Sequence, residues 1–179
     1  LHALATLLFS IKAVPNQIAF KNCISHGIIL DGNGQKMSKS KGNVIEPFEV
    51  IDRHGADAIR WYMFTASPPG NTRRFSSELV EESSRKTFTT LWNVYSFFVT
   101  YANLSDFSIK ENLLKSQKRT ELDIWIQSEL NETIKKVTDG LEKYEPSEAA
   151  RPINQFIEQL SNWYVSCLLY TSPSPRDGL

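Results

Sequence analysis

Nowhere in this chain does an apolar stretch approach the roughly 20 residues that a membrane-spanning helix needs. The longest such stretches, Ala3 to Phe9 and Cys167 to Tyr170, are far shorter, and no charged-then-apolar leader is followed by a cleavage site. The expectation is therefore a soluble, cytoplasmic protein with no membrane partner. Net charge is missing too: 20 basic residues balance 20 acidic ones, so no overall field attracts nucleic acid, and phosphate binding must come from a local cluster. Cysteine is scarce. Cys23 and Cys167 lie far apart without ligand spacing, which argues against a disulfide framework or a zinc site and leaves two buried or incidental thiols. Asn103-Leu104-Ser105 and Asn131-Glu132-Thr133 fit the short glycosylation pattern, but nothing else suggests secretion. Internal repeats and low-complexity tracts are also lacking.

What is present divides at a proline-glycine stretch. Leu1 to Phe9 is mostly apolar or small with no start methionine and no cap before it, which suits a helix already under way and a chain beginning mid-domain. After Pro15, the run Phe20 to Leu30 carries Ile24, Ile28 and Ile29 and ends at Asp31-Gly32-Asn33-Gly34, a turn signal, so a strand entering a glycine-bearing loop is expected. Residues 36 to 41 follow directly, with three lysines and no acid. In such a loop, backbone N–H groups are available to a ligand. Pro47 suits the first turn of a short helix that Gly55 ends, and Ile59, Tyr62 and Met63 at helical spacing predict a second helix over Ala56 to Thr65. That helix stops before Ser67-Pro68-Pro69-Gly70, the predicted domain boundary.

Beyond it, long helical periods replace strand and turn. Phe88, Leu91, Trp92, Tyr95, Phe98, Val99 and Ala102 form one wide apolar stripe. Leu122, Ile126, Leu130, Ile134, Val137 and Leu141 form a second, and Ile153, Phe156, Ile157, Leu160, Trp163 and Tyr164 a third. Three amphipathic helices of this kind should cover one another as an up-and-down bundle.

Lys36-Met37-Ser38-Lys39-Ser40 resembles the signature loop of the class I aminoacyl-tRNA synthetases. Its surroundings match as well: His26-Gly27 and a glycine turn before it, then Gly42-Asn43, Pro47 and Gly55-Ala56-Asp57-Ala58-Ile59-Arg60 after it. Within class I the sequence is most similar to the isoleucine-specific branch. Lys41-Gly42-Asn43-Val44-Ile45, Trp61-Tyr62, Ser67-Pro68-Pro69 with Asn71 and Arg74-Phe75 carry that similarity, as do Leu91 to Phe98, Leu122-Asp123 with Trp125-Ile126, and Ser161 to Val165. The resemblance covers about residues 1 to 165.

The resemblance implies the α/β end of a Rossmann-like catalytic domain over 1–66, a linker at 67–75, and part of an all-α, anticodon-binding helical bundle over 76–165. It further implies ATP, accompanied by Mg2+, and isoleucine as substrates, tRNA(Ile) as partner, a monomeric full-length enzyme and no zinc site in this stretch. Forming an aminoacyl adenylate displaces pyrophosphate, so negative charge grows on the leaving phosphates. A lysine ammonium on its flexible stem suits that task, and small serines let the loop approach. Lys36 and Lys39 are thus assigned to phosphate stabilisation, Lys39 foremost, and the backbone near Met37 to adenine. Ser38, Ser40, His26 and Gly27 complete the nucleotide-binding set.

Other residues have simpler alternatives. A lysine-serine run can be a solvated loop, and His26 can be a hydrogen-bonded structural histidine. Asp57 and Arg60 read as a local pair. Trp92, Trp125 and Trp163 could stack on RNA bases, but their stripes favour core packing. Lys135, Lys136 and Arg151 are weak candidates for tRNA phosphates.

The family's other ATP signature, His-x-Gly-His, is absent, as are the amino-acid pocket and the editing domain. This stretch alone is expected to be inactive. Residues 166–179 depart from the family and are read as a non-native tail. Two other readings stay open: a non-catalytic tRNA-binding helical module, and a valine- or leucine-type member of the same class.

Overall fold

The structure, a computed structural model, describes residues 2–13, 22–105, 107 and 119–171. α1 (His2–Ser10) occupies the opening apolar run. The expected strand over Phe20 to Leu30 shrinks to β1 (Ile29–Leu30); Pro15 and Phe20 lie outside the described residues, and 22–28 have no regular structure. Its partner limits it. β1 runs parallel to β2 (Arg73–Arg74), Ile29 opposite Arg73 and Leu30 opposite Arg74. Ahead of the ladder, Gly27 N–H donates to Pro69 O at 2.8 Å. The stretch 67–75, expected as a linker, is therefore tied back onto the first unit. Arg73 strengthens that tie by donating to Met63 O at 2.5 Å and Ser67 O at 3.3 Å.

Two helices follow the lysine loop as the sequence suggests. α2 (Pro47–His54) begins on Pro47, where a missing N–H costs nothing. Gly55, at φ 87, turns the chain into α3 (Ala56–Thr65). The sequence reading did not anticipate α4 (Ser77–Ser84), capped by Ser76, whose Oγ accepts Leu79 N–H at 3.3 Å. These helices and the sheet enclose Val50, Ala58, Tyr62, Phe75 and Val80, with Met37 and Ile45 packed against them. Burying a valine or phenylalanine in this way contributes about 1.5–3 kcal/mol.

α4 does not end at Ser84. It continues through a wider, π-helical turn, Arg85–Thr89, into α5 (Thr90–Leu104), so one rod spans both units. α6 (Glu121–Glu142) opens with a capping box: Thr120 Oγ1 accepts Asp123 N–H at 3.2 Å and Asp123 Oδ2 accepts Thr120 N–H at 2.9 Å. It closes at Tyr144, in the left-handed region at φ 60, where Glu145 N–H reaches Gly140 O at 2.8 Å. α7 (Pro146–Gln159) then folds back along α6 and runs through a second π-helical stretch, Leu160–Val165, into α8 (Ser166–Thr171). Helix thus extends into the stretch read as a tail; residues 172–179 lie outside the described residues.

The helices come out as their periods suggest, but their burial does not. α6 and α7 meet at small residues: a Cβ on Gly140 would stand 3.0 Å from Ala149 N and 3.1 Å from Ala149 Cβ. Ile126, Ala149, Ala150 and Ile157 are buried. Trp92 and Trp163, expected in the core, are 64% and 65% exposed: Trp92 lies against Tyr95 of its own helix, ring centroids 5.6 Å apart, and Trp163 borders a polar groove with Glu129, Glu132 and Asn162. Trp125 is half-buried. Cys23, read as a buried or incidental thiol, is exposed, and Cys167 is half-buried.

Polar bonds join the two units. Trp61 Nε1–H donates to Thr87 Oγ1 at 2.8 Å, and that hydroxyl donates to Asn154 Oδ1 at 2.7 Å, so the wide turn delivers one buried threonine to both α3 and α7. Ser147 Oγ donates to Ser67 O at 2.9 Å. No helix among the described residues is long and apolar enough to cross a membrane.

Candidate nucleotide-binding loop

The loop is built on the end of β1. Asp31 O accepts Gly34 N–H at 2.9 Å and Asp31 N–H donates to Gln35 O at 2.8 Å, with Gly34 at φ 81, a conformation glycine supplies without strain. The hairpin brings Lys36 beside Leu30 in an antiparallel bridge. Since Leu30 also faces Arg74 on β2, the cationic residues Arg74 and Lys36 flank Leu30 across three adjacent backbones. The Arg74 guanidinium lies against the turn, its Nε 3.2 Å from where a Cβ on Gly34 would stand.

From Lys36 the chain makes a small closed excursion. Met37 packs against the apolar cluster. Lys39–Lys41 forms a single 3-10 turn, with Lys41 N–H on Ser38 O at 3.1 Å and Gly42 N–H on Lys39 O at 3.2 Å. Gly42, at φ 66, then reverses the backbone. Ser38 Oγ and Ser40 Oγ are 3.2 Å apart. Lys36, Lys39 and Lys41 are exposed, and among the described residues none of them is in an ion pair. Three unneutralised ammonium groups on a short, braced loop suit a polyanion.

Two residues brace it that the sequence reading did not single out for this role. Asp31, only 8% exposed, accepts Asn33 N–H at 3.0 Å and Gln35 N–H at 2.7 Å on Oδ1, and Asn43 Nδ2–H at 2.8 Å on Oδ2. The Gln35 N–H and the Asn43 amide hold its carboxyl below the ordinary aspartate value. Asn43 Oδ1 in turn accepts Ser38 N–H at 2.9 Å, and Nδ2 also reaches Lys36 O at 3.3 Å.

His26 and Gly27 stand just before β1, away from this bracing. His26 is exposed, its Nδ1 3.1 Å from Gly27 O. Gly27 is required by packing, since a Cβ there would fall 2.0 Å from Asn71 O. The candidate tRNA-contacting residues are on the other unit. Lys136 pairs with Glu132 at 2.6 Å and Arg151 with Glu148 at 2.9 Å, while Lys135 is exposed. Lys136 and Arg151 line a groove of about 430 Å³ between α6 and α7 that also holds Lys143, Asp139, Glu145 and Glu148, so its charge is mixed. Arg60 and Asp57 form the expected local pair at 3.0 Å. Among the described residues no three His, Cys, Asp or Glu side chains converge as a metal site.

Residues 3–76, which contain the braced lysine loop with α2 and α3, match the family "tRNA synthetases class I (I, L, M and V)", and residues 123–174 match "Anticodon-binding domain of tRNA ligase". The chain belongs to the class I tRNA synthetase family. It is 52% identical over 165 residues to an isoleucine–tRNA ligase of Dehalococcoides mccartyi, and 51% identical over 166 residues to that of Thermus thermophilus. Each alignment covers 92% of this chain but 16% and 15% of the relative, so the chain spans about a sixth of the length of these curated relatives. Among solved structures, a ternary complex of Agrobacterium radiobacter K84 agnB2 LeuRS with tRNA and LeuAMS superposes with a TM-score of 0.63 at 18% identity, covering 96% of this chain and 25% of that one. At that identity the likeness concerns the fold.

Proposed function

We propose that this chain is the segment of a cytoplasmic isoleucine–tRNA ligase that carries its second nucleotide-binding loop and the start of its anticodon-binding helices. The observation that carries the reading is the braced loop with three unpaired lysines, in a chain about half identical to isoleucine–tRNA ligases along nearly its whole length. In the proposed reaction, the carboxylate of isoleucine attacks the α-phosphorus of ATP and the bond to the bridging oxygen breaks. Pyrophosphate leaves with the growing charge. Lys39, with Lys36, meets that charge; Ser38 and Ser40 keep the apex small, and the backbone at Met37 is offered to adenine. The acyl group then passes to the terminal ribose of tRNA(Ile). Mg2+ arrives with the nucleotide, bound to its phosphates. His26 and Gly27 border the nucleotide side, and Lys135, Lys136 and Arg151 lie on the tRNA side. Lys135 is the best placed of the three, because its charge is not offset by a partner in an ion pair.

A graft tests this. Residues 2–165 would replace the matching stretch of the Dehalococcoides mccartyi enzyme, and isoleucine-dependent ATP–pyrophosphate exchange would be measured. The graft should exchange, and Lys39→Ala within it should lose about a hundred- to a thousand-fold in rate with isoleucine affinity unchanged. A Lys39→Ala graft within about threefold of its parent would leave Lys39 a solvated surface lysine.

A further inference from the structure

We propose that Asn43 is the positioning residue of the lysine loop and that Asp31 fixes its orientation, so that these two side chains set where Lys36 and Lys39 stand. The catalytic part rests on the functional reading above.

Asn43 reaches back across the excursion and holds the chain on both sides of Met37: Ser38 N–H at 2.9 Å on its carbonyl, Lys36 O at 3.3 Å on its amide nitrogen. Met37 is packed on the opposite side against the core. The backbone at 36–38 is therefore gripped by an apolar contact and by a polar one, and the single turn Lys39–Lys41 springs from a fixed base. Without the polar grip, the chain beyond the bridge between Leu30 and Lys36 is held only by one flexible methionine side chain.

An amide can be turned either way, and only one way works here. Asp31 is deprotonated and accepts only, so its Oδ2 requires the nitrogen of Asn43 at 2.8 Å, which turns the carbonyl to Ser38. Flipping Asn43 would set its carbonyl against the carboxylate and Lys36 O and its NH2 against Ser38 N–H, three repulsive contacts in place of three bonds. Asp31 cannot yield, since its other oxygen is held by Asn33 and Gln35 N–H. The conformation is handed from the end of β1 to Asn43 and from there to the lysines. Gly42 makes the return possible. A Cβ there would meet nothing within 4 Å, so its φ of 66 rather than space calls for glycine.

The test has two arms. In the full 179-residue chain, amide hydrogen exchange by NMR should find Ser38 N–H protected. Asn43→Ala should speed its exchange at least about tenfold while amides in α3 and α6 keep theirs. Asn43→Asp, which sets two carboxylates face to face, and Asp31→Asn, which sets two amide nitrogens face to face, should do the same. The double exchange Asp31→Asn with Asn43→Asp restores a donor opposite an acceptor and should recover most of the protection. In the graft, Asn43→Ala should lower kcat for pyrophosphate exchange by up to about a hundred-fold with KM for isoleucine unchanged. Added to Lys39→Ala, it should cost less than about threefold more, because the group it positions is gone. Unchanged Ser38 exchange in Asn43→Ala would overturn the clamp whatever the lysines do. Losses that multiply in the double variant would overturn positioning through Lys39. A graft indifferent to Lys39→Ala would overturn the functional reading and, with it, only the catalytic half of this proposal.

Discussion

Around the lysine loop, a small apolar base of Val50, Ala58, Tyr62, Phe75 and Val80 carries directional polar bonds that fix single atoms, as at Asp31 and Asn43. Across the helices after Thr89 the emphasis reverses. α6 and α7 adhere through Gly140 and Ala149 with their backbones nearly touching, while Trp92, Tyr95, Phe98 and Leu104 of α5 face outward, at 51–76% exposure. Polar geometry controls where one side chain stands; small-residue packing controls how two rods lie. A loop that must meet charge needs the first, and a stack of helices needs the second.

The contrast can be broken most severely at Gly140. Gly140→Val would drive side-chain atoms into Ala149 backbone, and overpacking of that kind costs about 1–3 kcal/mol, more where backbone must move. Thermal unfolding of the variant should show a clearly lowered Tm, while Ser38 N–H protection, read by exchange below the transition, should stay. Loss of both together would mean that the two units do not rely on separate devices.

Acid should separate the units in the other direction. Asp31 has a folded-state pKa lowered below the ordinary 3.8, by the Gln35 N–H first and Asn43 next. Its contribution is therefore fully present above that value and is lost as pH falls through the lower, folded one. Ser38 protection should be constant from neutral pH down to about 5 and decline below about 3.8. The amides where α6 crosses α7 should not follow that curve. A decline centred near neutrality would point to a histidine instead.

The smallest effect is expected at Trp92. Exposed substitutions away from caps and networks change stability by within about 0.5 kcal/mol, so Trp92→Ser should leave Tm nearly unchanged. A drop comparable to that of Gly140→Val would show that this indole is buried in solution after all.

The sequence made the helices easy to see and their packing hard. Periodicity marks α5, α6 and α7, and Pro47 with Gly55 marks α2, since those signals are local. Which side of a stripe is covered is not local, and so Trp92 and Trp163 were misjudged. β2 was hidden because Arg73 and Arg74 become strand only by lying beside Ile29 and Leu30, more than forty residues earlier. The lysine motif was legible as a motif. Its brace was not: Asp31 reads as a turn residue and Asn43 as a flank, and only folding sets the two side chains 2.8 Å apart.

The wide turn at Arg85–Thr89 also bears on how this chain can change over time. A π-helical turn holds one residue more than the α-helix around it needs, so it absorbs that residue within the turn and leaves the rest of the rod in phase with what came before. Swapping a side chain in α5 alters one contact. Deleting a single codon between 85 and 89 would restore a regular helix and leave α5 facing nearly the same way, because five π-helical residues turn the rod about as far as four α-helical ones, but it would remove the widened turn that seats Thr87 between Trp61 and Asn154. At this joint a change of length would leave the face of α5 in place and cost instead the threonine bridge between the two units.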